Sequence, residues 1–375
     1  MKVPWLAQVR RMHLVIIVLA ALSLFLYVCY ISTSQLQATV SPVVYSVVAA
    51  VADANIQLNL TQPEVSFIKN DTNTVAKRNN TSEVLSPPLS VTNNTVVLDL
   101  TKGILTDMIY ESGHTNFSAE VCPDLGKNIK LLIIITSAPS HEQARMAIRQ
   151  TWGHYASRRD VSIAFMLGTT SNKVLNSRLD KEQYIYGDII TGKFIDAYDN
   201  LTLKTISMLE WVDNYCPKAA FVLKTDDDMF INVHRLLVFV VNHDPNQRII
   251  YGRLAKNWKP IRNKKSKYYS SLQQYKHTVF PDFTTGPAYL FPAKLARELY
   301  SAALNHTYFK LEDVFLTGIV ANDLKIKRVH VSEFSNRRVS LTPCSVQRGI
   351  SIHMVKGFEQ FDLWKKLLDG HTKCK

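Results

Sequence analysis

Three adjacent carboxylates, Asp226, Asp227 and Asp228, follow an apolar run at 219–223 and the pair Lys224-Thr225. The run reads as a buried strand, so the triplet falls at a strand's end. Carboxylates crowded there repel one another unless a divalent cation reverses the local electrostatics. Hard oxygen ligands of this kind suit Mn²⁺ or Mg²⁺, cations that also hold phosphate oxygens. Alone, the triplet reads more readily as an acidic turn before a helix beginning near Asn232.

Other residues could complete a site. Glu312-Asp313 opens a helical pattern. A carboxylate there is either a cap or a general base able to take a proton from an attacking hydroxyl. His353 is either structural or a third metal ligand. Arg145 and Arg149 lie four apart on one helix face, suited to phosphate or uracil recognition or else to a solvated face paired with Glu142. Gly286 permits close approach of backbone to a ligand. Aromatics nearby, Phe280 and Phe283, either could stack on a sugar face or belong to a tight loop packed on the core.

These residues need a frame. Apolar runs at 130–136, 161–167, 188–191 and 219–223 read as strands. Helical patterns fall at 172–184 and 201–215, with Ser140 and Gln143 spaced as a capping box opening a helix before Arg145. This alternation predicts an α/β fold with a mainly parallel sheet covered on both faces. In such sheets ligands collect at the strands' carboxyl ends, where the triplet sits. The second half is less regular, with strands predicted at 248–251 and 288–291 and helices at 293–304, 314–322 and 358–368. The 250 or so residues from about 125 onward suffice for one large core or two fused halves.

The N-terminus predicts a compartment. Lys2, Arg10 and Arg11 precede an uncharged apolar run, giving a cytoplasmic tail at 1–12 and a transmembrane signal-anchor at 13–32. The positive flank places the rest of the chain in the lumen, a type II topology. Residues 33–124 are rich in Ser, Thr, Asn and Pro and read as a flexible glycosylated stem. Asn59, Asn70, Asn79, Asn80, Asn93 and Asn116 begin Asn-x-Ser/Thr triplets there, and Asn200 and Asn305 do so further on. Cys29 lies in the anchor. Cys122, Cys216, Cys344 and Cys374 would be lumenal, where disulfides persist, and four cysteines allow three pairings. No cysteine or histidine spacing resembles a zinc site. The formal net charge of +13 draws heavily on a basic segment from Arg253 to Lys267, read as a mobile loop or as an attractor of an anionic donor or acceptor. No nucleic-acid motif accompanies it.

Arg149-Gln150-Thr151-Trp152-Gly153, then Asp196-Ala197-Tyr198-Asp199-Asn200-Leu201-Thr202-Leu203-Lys204-Thr205, then the segment 224–232, then Glu312-Asp313-Val314-Phe315 occur in this order. The chain thereby resembles the β-1,3-glycosyltransferase family of β-1,3-galactosyltransferases and β-1,3-N-acetylglucosaminyltransferases, over roughly residues 130–368. The resemblance implies a GT-A fold, a Rossmann-like nucleotide-sugar half fused to an acceptor-binding half, as a lumenal catalytic domain at 125–375 on the Golgi membrane. It implies Asp226, Asp228 and His353 around Mn²⁺ or Mg²⁺, with Asp313 as catalytic base. Arg145, Arg149, Asp196, Lys204 and Asp227 fall on the donor side, and Phe283, Gly286, Tyr289 and Glu312 on the acceptor side. The implied reaction is inverting transfer of galactose from UDP-galactose to an acceptor's 3-hydroxyl. UDP-N-acetylglucosamine is the alternative donor, and a non-catalytic sugar-binding protein the alternative class. Phe280-Pro281-Asp282-Phe283-Thr284 stands where relatives often carry Tyr-Pro-Pro-Tyr-Cys, so their disulfides do not transfer, and Pro287 and Ala288 change the acceptor-side loop, so acceptor preference does not transfer.

Overall fold

Strands built from consecutive aliphatic residues can be buried on both faces only inside a covered sheet, and the computed structural model shows this arrangement. It describes residues 103–374. The expected tail, the anchor at 13–32 and most of the stem lie outside the described residues, as do Asn59, Asn70, Asn79, Asn80 and Asn93. Among the described residues no helix is long and apolar enough to cross a membrane.

The donor-side elements are β1 (His114–Asn116), β2 (Leu131–Thr136), α1 (Glu142–Arg149), β3 (Val161–Thr169), α2 (Lys173–Tyr186), β4 (Ile189–Ile195), α3 (Leu201–Tyr215) and β5 (Phe221–Asp226). There follow β6 (Phe230–Ile231), α4 (Val233–Val241), β7 (Ile249–Ala255), β8 (Phe283–Pro292) and α5 (Ala296–Leu304). The chain closes with α6 (Val314–Val320), β9 (Lys327–His330), β10 (Phe334–Ser335), α7 (Pro343–Arg348), β11 (Ser351–Ile352) and α8 (Gly357–Leu367).

Eight strands form one sheet in the order β1-β4-β3-β2-β5-β8-β7-β9, and β10-β11-β6 form a small second sheet. Strands β4, β3, β2 and β5 are parallel, as expected. The sheet as a whole is mixed, because β8 runs antiparallel to both β5 and β7, and β1 antiparallel to β4. Successive side chains of a strand point to opposite faces. Leu131, Ile133 and Ile135 therefore join the core beneath α4 and α8, whereas Leu132 and Ile134 join the core beneath α3 and α5.

Two boundaries differ from expectation. Residues 103–124, expected as the end of the stem, belong to the folded body: β1 adds an edge strand, and Cys122 is bonded to Cys216. Tyr110 Oη and the Gly113 N–H both donate to Glu210 of α3, at 2.6 and 2.9 Å. A low-hydrophobicity segment can thus be held by a disulfide and a buried carboxylate instead of a core of its own. The second disulfide joins Cys344 and Cys374. The Ser140–Gln143 capping box does not form; α1 starts at Glu142 with His141 as its N-cap.

Candidate active site

Strands β2 and β5 are neighbours, but the chain leaves β2 toward β3 and leaves β5 toward the other half of the sheet. A crevice opens where strand connections diverge in this way. The triplet lies there, at the carboxyl end of β5, facing the end of β2.

Each carboxylate is held differently. Asp226 Oδ1 accepts from Thr136 Oγ1 at 2.7 Å and from Lys224 Nζ at 2.6 Å. Its other oxygen has no hydrogen-bond partner among the described residues. Asp227 Oδ2 accepts from Ser137 Oγ at 2.7 Å and lies 2.8 Å from His141 Nδ1. Asp227 is therefore fixed against the loop after β2. Asp228 Oδ2 lies 3.3 Å from His353 Nε2. Burial disfavours the charge on His353, but Asp228 outweighs it and the imidazole pKa is raised. One ligand atom each from Asp226, Asp228 and His353 all lie within 4.8 Å of one another. Two carboxylates, one with an uncommitted oxygen, and an imidazole form a donor set that fits Mn²⁺ or Mg²⁺.

Lys224 joins this cluster to a second one. It is buried in β5, and a buried lysine needs partners. Its Nζ reaches Asp226, the Gly286 carbonyl at 2.9 Å and Glu312 Oε1 at 3.1 Å. Burial alone would depress its pKa, but the two carboxylates raise it. Glu312 is buried as well, and its Oε2 accepts from Thr205 Oγ1 and Tyr289 Oη, each at 3.2 Å. Burial holds its carboxyl well above the usual range, with Lys224 offsetting part of the rise. Asp313 follows it. Asp313 Oδ2 accepts from the Gly286 N–H at 2.9 Å and Oδ1 from the Val314 N–H at 2.8 Å. Burial raises its pKa and those two backbone N–H groups pull it back. Asp313 caps α6, whose wide π-helical turns are frequent at functional sites. A Cβ on Gly286 would come within 2.9 Å of Glu312 Oε1, so glycine there lets β8 approach the acidic pair closely.

Several expected site residues take other roles. Arg145 is fully buried and forks onto Glu182 of α2 at 2.8 and 2.7 Å. It also donates to Ser137 Oγ and to the Ala138 carbonyl, at 3.1 and 2.6 Å. It shapes the loop that fixes Asp227 and is not open to a donor. Arg149 lies away from the triplet. It forks onto Asp188, at the amino end of β4 and so at the sheet edge opposite the triplet, and stacks on Phe165 and Tyr186. Phe283 and Tyr289, expected on the acceptor side, are buried on β8, and Glu312 is buried beside Lys224. Asp196 and Lys204 do meet at the carboxyl edge. Lys204 Nζ lies 2.8 Å from Asp196 Oδ2 and donates to the Ser137 carbonyl at 2.6 Å. Of the described sequons, Asn305 is exposed, whereas Asn116 and Asn200 are half-buried, the Asn200 amide donating to Ile195.

The sequence reading gave no role to Lys224, Ser137 or His141. A lysine two residues before Asp226 on one strand face was a usable signal for the first. Nothing in the sequence marked the other two.

A model of the family described as Galactosyltransferase matches residues 143–332. The chain belongs to the galactosyltransferase family. It is similar to β-1,3-galactosyltransferase 5 of Homo sapiens, 36% identical over 242 residues that cover 63% of this chain and 78% of that one. It is also similar to β-1,3-galactosyltransferase 1 of Mus musculus, 35% identical over 254 residues that cover 66% and 77%. Among solved structures, a galactosyltransferase LgtC bound to donor and acceptor sugar analogues aligns with a TM-score of 0.35 and 8% identity, over 64% of this chain and 96% of that one. That likeness is too slight to carry an argument. Family membership and the two relatives make this chain a glycosyltransferase.

Proposed function

We propose that the chain transfers galactose from UDP-galactose to the 3-hydroxyl of an acceptor sugar, with inversion. The observation that carries this reading is the relay from Asp226 through Lys224 to Gly286 and on to Asp313. It sets a carboxylate at a helix start beside a candidate cation site at the sheet's switch point. Asp226, Asp228 and His353 would hold Mn²⁺, or Mg²⁺ in its place. When bound, the cation neutralises charge on the diphosphate leaving group.

The chain's own residues do the rest. Asp313 accepts the proton of the attacking hydroxyl. The acceptor oxygen bonds to the anomeric carbon as the bond to the diphosphate oxygen breaks, and UDP leaves with that electron pair. One displacement turns an α-linked donor into a β-linked product, so one base suffices. Lys204 and Asp196 order the edge of the nucleotide-sugar half, and Asp227 pins the loop after β2. In this reading the arrangement is of the GT-A kind, in a lumenal domain anchored in the Golgi membrane by residues 13–32 above a glycosylated stem.

The test is to incubate the full-length chain with Mn²⁺ and a panel of UDP-sugars, measuring UDP release with and without acceptor sugars. UDP-galactose should be turned over, with release stimulated by acceptor, abolished by EDTA and restored by Mn²⁺. Preference for UDP-N-acetylglucosamine would replace the donor. Undiminished activity in excess EDTA would remove the cation from the account.

A further inference from the structure

The stretch 256–281, between β7 and β8, carries Lys256, Lys259, Lys264, Lys265, Lys267 and Lys276 and contains no Asp or Glu; the one acid before β8 is Asp282. All six lysines are exposed, and none forms an ion pair among the described residues. The loop is nevertheless built. Arg262 Nη1 donates to the carbonyls of Ser270 and Ser271 at 2.8 and 2.9 Å, and Nη2 to those of Tyr275 and His277 at 2.8 and 3.1 Å. A guanidinium whose two terminal nitrogens each bridge two backbone carbonyls folds the loop around itself without an acid. The positive field of the lysines is left uncompensated.

The loop leaves β7 at the edge that carries the triplet, since β5 and β7 both run antiparallel to β8. It reaches Tyr198, two residues beyond Asp196. Lys267 Nζ lies 5.4 Å from the Tyr198 ring centroid and 4.9 Å from that of Tyr268. The two rings are 48% and 43% exposed. Burial pushes the Tyr198 hydroxyl pKa up to about 12, and the neighbouring Tyr268 and Asp313 add to the rise. Asp199, next to Tyr198, lies 3.1 Å from Lys310 Nζ, and Thr205 of the same turn-and-helix unit donates to Glu312 at 3.2 Å, so the ammonium over the two tyrosine rings stands on the element packed against the segment that leads into Asp313.

We infer that the acceptor is an anionic saccharide, its sugar faces laid on Tyr198 and Tyr268 and its carboxylate or sulfate paired with Lys267. This rests on the transfer reading of Asp313, because the group beside the base must be the acceptor. The donor diphosphate belongs at the β2–β5 crevice instead, where Asp226 and Asp228 stand. Sugar C–H faces and aromatic rings complement one another, and a charge-assisted hydrogen bond from Lys267 adds specificity. The remaining lysines raise the local concentration of a polyanion, an effect that fades with salt.

The experiment uses the full-length chain, UDP-galactose and three acceptors sharing one terminal sugar: neutral, uronate-bearing and sulfated. The wild type should favour the anionic acceptors in kcat/KM by roughly tenfold at low ionic strength, a preference that shrinks as salt is added. Lys267→Gln should bring the ratio close to one. Equilibrium binding of the anionic oligosaccharides without donor should weaken in step, and comparing uronate with sulfate tells which anion is read. A wild-type ratio of one would overturn the inference. So would a Lys267→Gln effect on the KM for UDP-galactose alone, or a loss confined to binding of anionic lipid vesicles. If no UDP-sugar is turned over with any acceptor, the transfer reading fails, while the binding measurement still decides the loop.

Discussion

Two acidic clusters face the crevice and are built oppositely. Asp226, Asp227 and Asp228 are partly exposed and held at their edges by Thr136, Ser137 and His141, with an oxygen of Asp226 left uncommitted. Glu312 is buried, and Asp313 has both oxygens engaged by backbone N–H groups, with burial raising both carboxyl pKa values. An exposed set of carboxylate oxygens can gather around a cation. A desolvated carboxylate whose pKa is raised is a stronger base than an exposed one. Similar side chains thus divide two tasks by burial, and Lys224 stands between them as shared counter-charge.

The largest expected effect comes from removing the base. Asp313→Asn keeps an oxygen for one backbone donor but cannot take a proton, and transfer should fall by about 10²–10⁴-fold. Steady-state transfer at wild-type rates would take Asp313 out of the mechanism. Next is Lys224→Met, which strands the buried carboxylate of Glu312. Breaking a buried pair costs about 3–5 kcal/mol, so thermal unfolding should move sharply downward, and an unchanged melting temperature would mean that the clusters are not coupled. Smaller still is Arg149→Ala at the opposite edge. It should cost about 2 kcal/mol, in the range for hydrogen bonds to charged groups, while the KM for UDP-galactose stays put; a raised KM would return Arg149 to the donor site. The gentlest probe is pH. Because the Asp313 pKa is raised, the protonated, inactive form persists to higher pH than for an ordinary aspartate, about 3.9. Activity should therefore fall on acidification with a midpoint above that value. A limb at or below it would place the base elsewhere.

What the sequence could reveal followed from local pattern. The aliphatic runs became β2 to β5, and helix α3 spans the residues its periodicity marked. Strand β8 was expected only from 288, the Pro281–Pro287 stretch reading as a connection between elements; it begins at Phe283. That hidden length is why Phe283 was read as part of a loop when a central strand buries it; Tyr289 lay within the expected strand, and period-two alternation alone did not say which covered face it meets. Helical spacing put Arg145 and Arg149 on one face but could not say what that face meets. Glu182 and Asp188 are 33 to 39 residues further along the chain, and such partners follow from tertiary packing alone. The disulfides, too, were open among three pairings until Cys122 met Cys216 and Cys344 met Cys374.

The most direct test of this division of labour is UDP binding titrated with and without Mn²⁺ in wild type, Asp228→Asn and Asp313→Asn. If one cluster gathers the cation and the other carries the base, Asp228→Asn should lose the Mn²⁺-dependent gain in affinity, while Asp313→Asn keeps it and yet fails to transfer. Equal Mn²⁺ dependence in wild type and Asp228→Asn, or its loss in Asp313→Asn, would contradict the account.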